Sequence, residues 1–437
     1  MSESKSPKSA ALFNRAKKVL PGGVSRNTLL RGANPLYVQH GKGCKVVDVD
    51  GVERLDFANN MASHIHGHAF EPIVAAVTKQ LSLGSAFTMA TEAELLFAEH
   101  MCGRSPNFEK IRFVNSGTEA VMAGMKAARA FTGRPKIAKV EGSYHGAYDY
   151  AEVSQAPTPQ NWGAQTHPNA VPLAQGTPES FLEDMIILPF NDPEKAVALL
   201  EDNADHIACV LIDPIPHRVG MVPVHVDFVK ALRTWTKANG ALLMFDEVIT
   251  FRSEVGGMQA RFDCAPDLTA MGKMIGGGFP VGALAGSKGV MDVFVNGKLP
   301  HSGTFSANPV TMTAGRVAME LFEQEAVERL NKLGDYARAS LLNAINIADV
   351  PASVTGTGSL MRLHLKAEAP KNYRESHPTP LEKKALTGFI DTLYDNGIMM
   401  IHTGAFALST PMEKAEIDQL SDAVVTSLRS VKSLLLP

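Results

Sequence analysis

The chain has 437 residues, 45% of them hydrophobic and 20% charged, with a formal net charge of -3. That length supports two or more domains with a large core, and the composition is ordinary for a globular protein. Near-neutral charge without a long basic run argues against nucleic acid or an anionic membrane as the main partner, and no apolar stretch reaches membrane-spanning length. The opening MSESKSPKSA lacks an apolar signal-peptide core, and the four cysteines (Cys44, Cys102, Cys209, Cys264) show no CxxC spacing. A cytoplasmic protein with reduced thiols and no zinc site is expected.

In chain order, Ala11, Leu12, Ala16 and Leu20 recur at helical spacing over residues 1–20, and Pro21-Gly22-Gly23 breaks that helix. Tyr37-Val38 and Lys45 to Val49 alternate like strand residues, and Asp50-Gly51 marks a hairpin turn. This predicts a small β-meander outside the main sheet. Residues 71–103 are helical, with a break at Gly84-Ser85. A short strand, Ile111 to Val114, then runs into Asn115-Ser116-Gly117-Thr118-Glu119, and a helix follows to about Thr132, stopped by Gly133. A strand that delivers Ser-Gly-Thr to a helix N-terminus can cradle a phosphate, because free N–H groups and the helix dipole favour an anion. The strand Lys136 to Glu141 ends at Gly142-Ser143-Tyr144-His145-Gly146, where an aromatic ring framed by glycines can stack on a flat heterocycle. Residues 153–178, rich in Pro, Gln and Ala, form a long aperiodic loop of the kind often used as a lid or binding loop.

Strand-like 186–190 and 207–215 alternate with helix-like 193–202 and 225–239, the pattern of a parallel, doubly wound sheet. The apolar run Ala241 to Phe245 is a buried strand ending in Asp246, the end at which open α/β sheets place ligands. Lys273 precedes Gly276, Gly277 and Gly278, which leave its amine room to move. A carboxylate on a core strand and a lysine on a Gly-rich turn are two parts that pyridoxal phosphate (PLP) requires, one to keep the pyridine nitrogen protonated and one to form the Schiff base. His301 to Pro309 is a polar loop ahead of a helix at about 310–325. Beyond it come a helix to about 347, a strand at 360–365, a helix at 379–396, a strand at 398–408 and a last helix at 413–434, a second, smaller α+β unit. Taken singly, Ser116 also reads as an ordinary helix N-cap with a capping Glu119, Tyr144 as a loop tyrosine, Asp246 as a turn residue and Lys273 as a surface lysine.

Together, FVNSGTEA, YHG, FDEV, MGKMIGGGFPVGA and HSGTF, in this order and spacing, make the chain resemble the class III (ω-type) aminotransferases of PLP fold type I. The subgroup it resembles most contains glutamate-1-semialdehyde aminomutase and the β-amino-acid aminotransferases. The resemblance implies an α/β fold with a mostly parallel, doubly wound sheet. Residues 1–65 would form an N-terminal segment joining a small domain, 66–318 a large PLP-binding domain and 319–437 a C-terminal small domain. It implies that Lys273 is the cofactor lysine and proton carrier, and that Asp246 pairs with the pyridine N–H. Val248 would lie under the ring, on the same strand face as Asp246, and Tyr144 over it, with His145 also at the cofactor. Ser116, Gly117 and Thr118 would bind the phosphate, and Thr304 the phosphate of a neighbouring subunit, in a homodimer with shared active sites.

Arg26, in the turn Val24 to Arg31, matches the arginine that binds the substrate carboxylate in β-amino-acid aminotransferases, and it is not at the mutase position. A guanidinium suits such a grip, although Arg26 or Arg31 also reads as a surface ion-pair residue. The stretch Ile401 to Phe406 carries neither the mutase's glutamate nor the transaminase's arginine, and His402 or Thr403 could stand in for them. Asp213-Pro214-Ile215-Pro216-His217 departs from the Glu-Pro pattern of the family, with His217 and Arg218 on the substrate side. The expected activity is amino-group transfer from an amino acid, possibly a β-amino acid, or an ω-amine to a keto acid. The alternative is intramolecular transfer of the glutamate-1-semialdehyde aminomutase type.

Overall fold

A computed structural model describes residues 6–30 and 35–436; Arg31 and the first five residues of the expected N-terminal helix lie outside them. Helix α1 (Pro7–Ala16) is followed by the meander β1 (Val38–Lys42), β2 (Lys45–Asp48) and β3 (Glu53–Asp56). Helices α2 (Glu71–Leu81) and α3 (Glu92–Gly103) lead to β4 (Lys110–Val114) and α4 (Gly117–Thr132). Then come β5 (Lys136–Val140), β6 (Met185–Leu188), α5 (Pro193–Glu201), β7 (Ile207–Ile212), α6 (Val226–Asn239), β8 (Leu242–Asp246), β9 (Leu268–Gly272) and β10 (Gly282–Gly286). The C-terminal part holds α7 (Pro309–Glu320), α8 (Gln324–Ala348), β11 (Ser353–Thr357), β12 (Leu360–His364), α9 (Pro380–Asp395), β13 (Ile398–Met399), β14 (Ala405–Ala407) and α10 (Lys414–Ser430).

Seven strands form the central sheet in the order β4-β10-β9-β8-β7-β5-β6. Neighbours from β9 through β6 pair in parallel, while β10 is antiparallel to both β9 and β4. Every residue of β7, β8, β9 and β10 is buried, as expected of strands covered on both faces. The sequence reading foresaw the parallel strands but neither β9 nor β10. Gly-Ala-Leu-Ala-Gly has little intrinsic strand preference, and its small residues are there for close packing. Gly282 shows why: a Cβ on it would lie 1.9 Å from the carbonyl oxygen of Ser116.

The meander stands outside the central sheet, as expected, and gains a fourth strand from the other end of the chain. β13 pairs in parallel with β3, setting Ile398 opposite Leu55 and Met399 opposite Asp56. The single strand expected over 398–408 is therefore two strands in two sheets. Gly404, at φ +81°, makes the turn between them, and β14 pairs with β12. The long loop 153–178 contains a two-residue hairpin, and side chains fasten it. Arg374 pairs with Glu141 and donates to the carbonyls of Trp162, Gly163 and Ala164, while the Tyr373 hydroxyl donates to Pro157 O at 2.8 Å. Arg252, fully buried, bonds Ser359 Oγ and the carbonyls of Ala62 and Leu408, so one guanidinium joins three separate segments.

His364 on β12 is only 4% exposed, and its Nε2 lies 2.8 Å from Thr355 Oγ1 and 3.2 Å from Gly220 O. Burial, with the charge of Arg362 added, holds its pKa down at about 3. An unfolded histidine takes a proton near pH 6.5, so lowering the pH protonates the unfolded chain first and stability falls below that point. His364 alone should account for a loss of about 2 kcal/mol between pH 7 and pH 5. Urea unfolding at the two pH values should show a smaller acid loss by that amount in His364→Gln; an unchanged pH slope would contradict the assignment.

Candidate active site

The functional groups gather where the carboxyl ends of β7, β8 and β9 meet the N-terminus of α4, around a cavity of about 540 Å³. Ser116 caps α4, its Oγ accepting from Glu119 N at 3.1 Å, and Glu119 reaches back to the N–H of Asn115 at 2.8 Å. The ordinary capping role is thus real. It uses none of the N–H groups of Gly117 and Thr118, which in a first turn have no helical carbonyl to bond, and both residues line the cavity. A Cβ on Gly117 would sit 2.8 Å from Val248 Cγ1, and one on Gly146, at φ +97°, 2.5 Å from Thr118 Oγ1. Only glycine lets the turns close into this anion-sized cradle.

Asp246 ends β8 and is buried, with one oxygen 2.7 Å from His145 Nδ1 and the other accepting from Val248 N at 3.0 Å. The second bond turns the chain, so Val248 lies in a turn beyond β8 instead of on the strand face shared with Asp246. It still lines the cavity. His145 is buried and kept neutral, burial lowering its pKa against the pull of Asp246, and its Nε2 has no partner among the described residues. Behind both, fully buried Lys139 donates to the carbonyls of Ser143, Ala151 and Val153 and so fixes the loop that carries Tyr144 and His145. Burial brings its pKa down to about 7. The Tyr144 ring is 43% exposed and lines the cavity.

Lys273 follows β9 at φ +50°, a left-handed conformation that costs a non-glycine residue on the order of 1–3 kcal/mol and persists only where surroundings enforce it. Burial lowers its pKa, opposed by the charges of Asp246 and Asp213. Asp213, just past β7, is a site residue that the sequence reading noted only as a departure from pattern. It lines the cavity and accepts from Ile215 N at 2.8 Å, and burial beside Asp246 raises its pKa well above the carboxylate range. Two carboxyls and one amine therefore share a poorly hydrated space, a setting that moves pKa values at reactive centres.

Arg26 lines the same cavity, its Nη1 donating to Asn60 Oδ1 at 2.9 Å. Asn60 belongs to a left-handed run, Asn59, Asn60, Met61 and Ala62, all with φ between 45° and 67°. Asp56 supports the run by accepting from the N–H groups of Ala58 and Asn59, and Asn59 Nδ2 donates to Ala407 O at 2.6 Å. The Asn-Asn pair was the available sequence signal, since asparagine tolerates this conformation best. Asn60 and Ser63 went unforeseen. Thr304 sits in an exposed turn and does not line the cavity. His402 is exposed, and Thr403 bonds His217 Nε2 at 3.0 Å. Among the described residues no group of three or more His, Cys, Asp or Glu side chains could hold a metal, and no helix is long and apolar enough to cross a membrane.

A half-exposed ring, an anion cradle, a buried carboxylate–imidazole pair and a strained lysine converging on one cavity define a PLP-dependent enzyme of fold type I. The chain belongs to the class-III aminotransferase family, whose profile matches residues 30–428. An ω-transaminase from Sphaerobacter thermophilus is 45% identical, with a TM-score of 0.95 over 98% of each chain. A β-phenylalanine aminotransferase from Variovorax paradoxus is 33% identical, with a TM-score of 0.87 over 96% of this chain and 93% of the other. A glutamate-1-semialdehyde 2,1-aminomutase from Methanothermobacter thermautotrophicus is 38% identical over 84% of this chain and 86% of its own length. The protein is an enzyme and its cofactor is PLP. The glycine cradle and the cavity with its unpaired amine fit that group in size and charge.

Gly117→Ala places a methyl group against Val248, so PLP affinity should fall about tenfold, the size of a modest overpacking penalty. Titration of the apoenzyme with PLP, followed by absorbance, measures this. Adding Val248→Ala should restore most of the affinity, and failure of the double variant would place the fault elsewhere.

Proposed function

We propose that this enzyme moves an amino group from a β-amino acid or ω-amine to a 2-oxo acid by a ping-pong mechanism. The observation that carries the reading is Arg26: a guanidinium that lines the Lys273 cavity and, among the described residues, rests only on a neutral amide, Asn60. It is free to grip a carboxylate bidentately at a fixed distance from the reacting amine. Similarity to an ω-transaminase and a β-phenylalanine aminotransferase supports it.

In this reading Lys273 holds the cofactor through Nζ, and Asp246, oriented by His145, keeps the ring nitrogen protonated. Tyr144 and Val248 would hold the ring between them, and Ser116, Gly117 and Thr118 would take the phosphate. PLP supplies the carbonyl that receives the amino group and the electron sink that stabilises charge at the substrate carbon. Once released, the Lys273 amine, made less basic than a free lysine by burial, carries the proton at its Nζ. Arg26 fixes the donor's carboxylate, and the carboxyl of Asp213 lines the cavity with Lys273.

The subunit would work as a homodimer. Leu83, Phe87 and Met89 form an exposed apolar stretch, and Phe305, exposed beside Thr304, puts a second apolar group in the loop meant to reach a neighbour's phosphate. The four free thiols suit the reducing cytoplasm. A second reading, intramolecular transfer of the aminomutase type, is favoured by identity to the archaeal aminomutases. The place of Arg26 and the absence of an acidic residue in Ile401 to Phe406 speak against it.

The test is a single-turnover spectrum of the yellow holoenzyme with α-amino acids, β-amino acids, ω-amines and glutamate-1-semialdehyde in turn. A β-amino acid or ω-amine should bleach the band, and a 2-oxo acid should restore it. Arg26→Ala should weaken binding of carboxylated donors about 10- to 100-fold, the worth of a charge-assisted bidentate pair. Lys273→Ala should abolish turnover. Isomerisation of the semialdehyde without any acceptor, with no response to other donors, would establish the mutase reading instead.

A further inference from the structure

Arg218, in the loop after β7, is half-buried and has no hydrogen-bond acceptor or ion-pair partner among the described residues. Other buried or half-buried arginines are engaged: Arg233 with Asp267, Arg374 with Glu141, Arg104 with Glu323, Arg252 with three backbone and hydroxyl oxygens. Its Cζ lies 5.8 Å from the centroid of the Tyr144 ring, and that ring lines the Lys273 cavity. The charges around it are mostly of its own sign. Arg362, buried on β12, spends its donors on Thr403 O at 3.0 Å and on the carbonyl of His217 at 3.2 Å, next to Arg218 in the chain. Lys139 and Lys273 add positive charge to the same region.

The carboxylates within electrostatic reach are committed elsewhere or form no pair with it. Glu141 belongs to Arg374 and Asp246 to His145, while Glu152 makes no ion pair with Arg218. Burial and the neighbouring guanidinium charges hold the pKa of His217 down at about 3, so its imidazole adds no charge beside Arg218. Two guanidiniums gathered without an anion repel each other, and bringing an anion to the one with free donors relieves that repulsion.

We propose that Arg218 receives the second carboxylate of a dicarboxylic substrate, selecting a 2-oxo diacid as amino acceptor over a 2-oxo monoacid. The inference rests on the aminotransferase reading, in which Arg26 grips one carboxylate of the bound substrate. A monoacid offers nothing further to bind, whereas a diacid carries a second planar carboxylate matched to the free fork of Arg218. The Tyr144 ring, 5.8 Å from Cζ, stabilises the charge of the guanidinium.

The test uses holoenzyme and two acceptor-like probes that cannot react, glutarate and butyrate, titrated against the cofactor absorbance band and by calorimetry. Wild type should bind glutarate at least tenfold more tightly than butyrate. Arg218→Gln should bring the ratio near one, and Arg218→Lys should restore part of it. The ratio of kcat/KM for 2-oxoglutarate over 2-oxobutyrate should fall in parallel. Retention of the cofactor band and near-UV dichroism reports whether the variants fold. A wild type without preference, or a preference that survives Arg218→Gln, overturns the proposal. Because binding of inert diacids needs no turnover, a preference lost in Arg218→Gln alongside absent transamination would uphold the subsite while rejecting the assigned reaction.

Discussion

The site depends on how closely backbone can approach backbone at the edge of the central sheet. Gly282 passes beneath Ser116 O, Gly272 would bring a Cβ within 3.3 Å of Gly117 Cα, and Gly117 presses on Val248. Three glycines on three elements let the end of β9, the start of β10 and the first turn of α4 share one small volume. A side chain at any of these points would push the helix terminus away from the strand ends. The first turn of α4, the strained lysine and the aspartate then fall within one cavity without any residue having to reach far for another.

Electrostatics builds on that geometry. Burial raises the pKa of Asp213 and lowers those of Lys273 and Lys139. The groups remain because each has a counterweight: Asp246 bonds His145, Lys139 has three carbonyls, and Lys273 feels two carboxyls. A polar cluster bonded in this way holds Asp246, His145 and Lys139 in fixed orientation around the amine of Lys273. Glu247, next to Asp246, plays a quieter part. It accepts from the N–H groups of Met258 and Gln259 and from Thr250, pinning the loop beyond β8 from below.

The cofactor side of the molecule was legible because its chemistry is carried by short contiguous motifs at strand ends, where periodicity and turn signals are strong. Ser116, Gly117, Thr118, Tyr144, His145, Asp246, Val248 and Lys273 all line the one cavity. What escaped was structure set by tertiary contact. β10 is a strand because glycine and alanine permit it between β4 and β9, not because they prefer it. Residues 398–408 divide between two sheets because Gly404 turns left-handed, and Asp213 is a site residue only because β7 lies beside β8. The left-handed run at 59–62 depends on Asp56 and on a carbonyl of β14 roughly 350 residues further on, a separation no local pattern spans.

That run divides the labour of the molecule. The cofactor groups stand on the rims of buried strands, where a substitution disturbs the whole sheet. Arg26 instead rests on Asn60, at a bend whose unfavourable dihedrals are maintained by three hydrogen bonds from Asp56 and Asn59. Such a bend is cheap to redirect: exchanging a residue there relaxes local strain and repositions the arginine without touching the glycine contacts that assemble the reaction centre. With Arg26 in the role proposed for it, substrate preference could drift in evolution, or be reset by design, independently of the groups around Lys273.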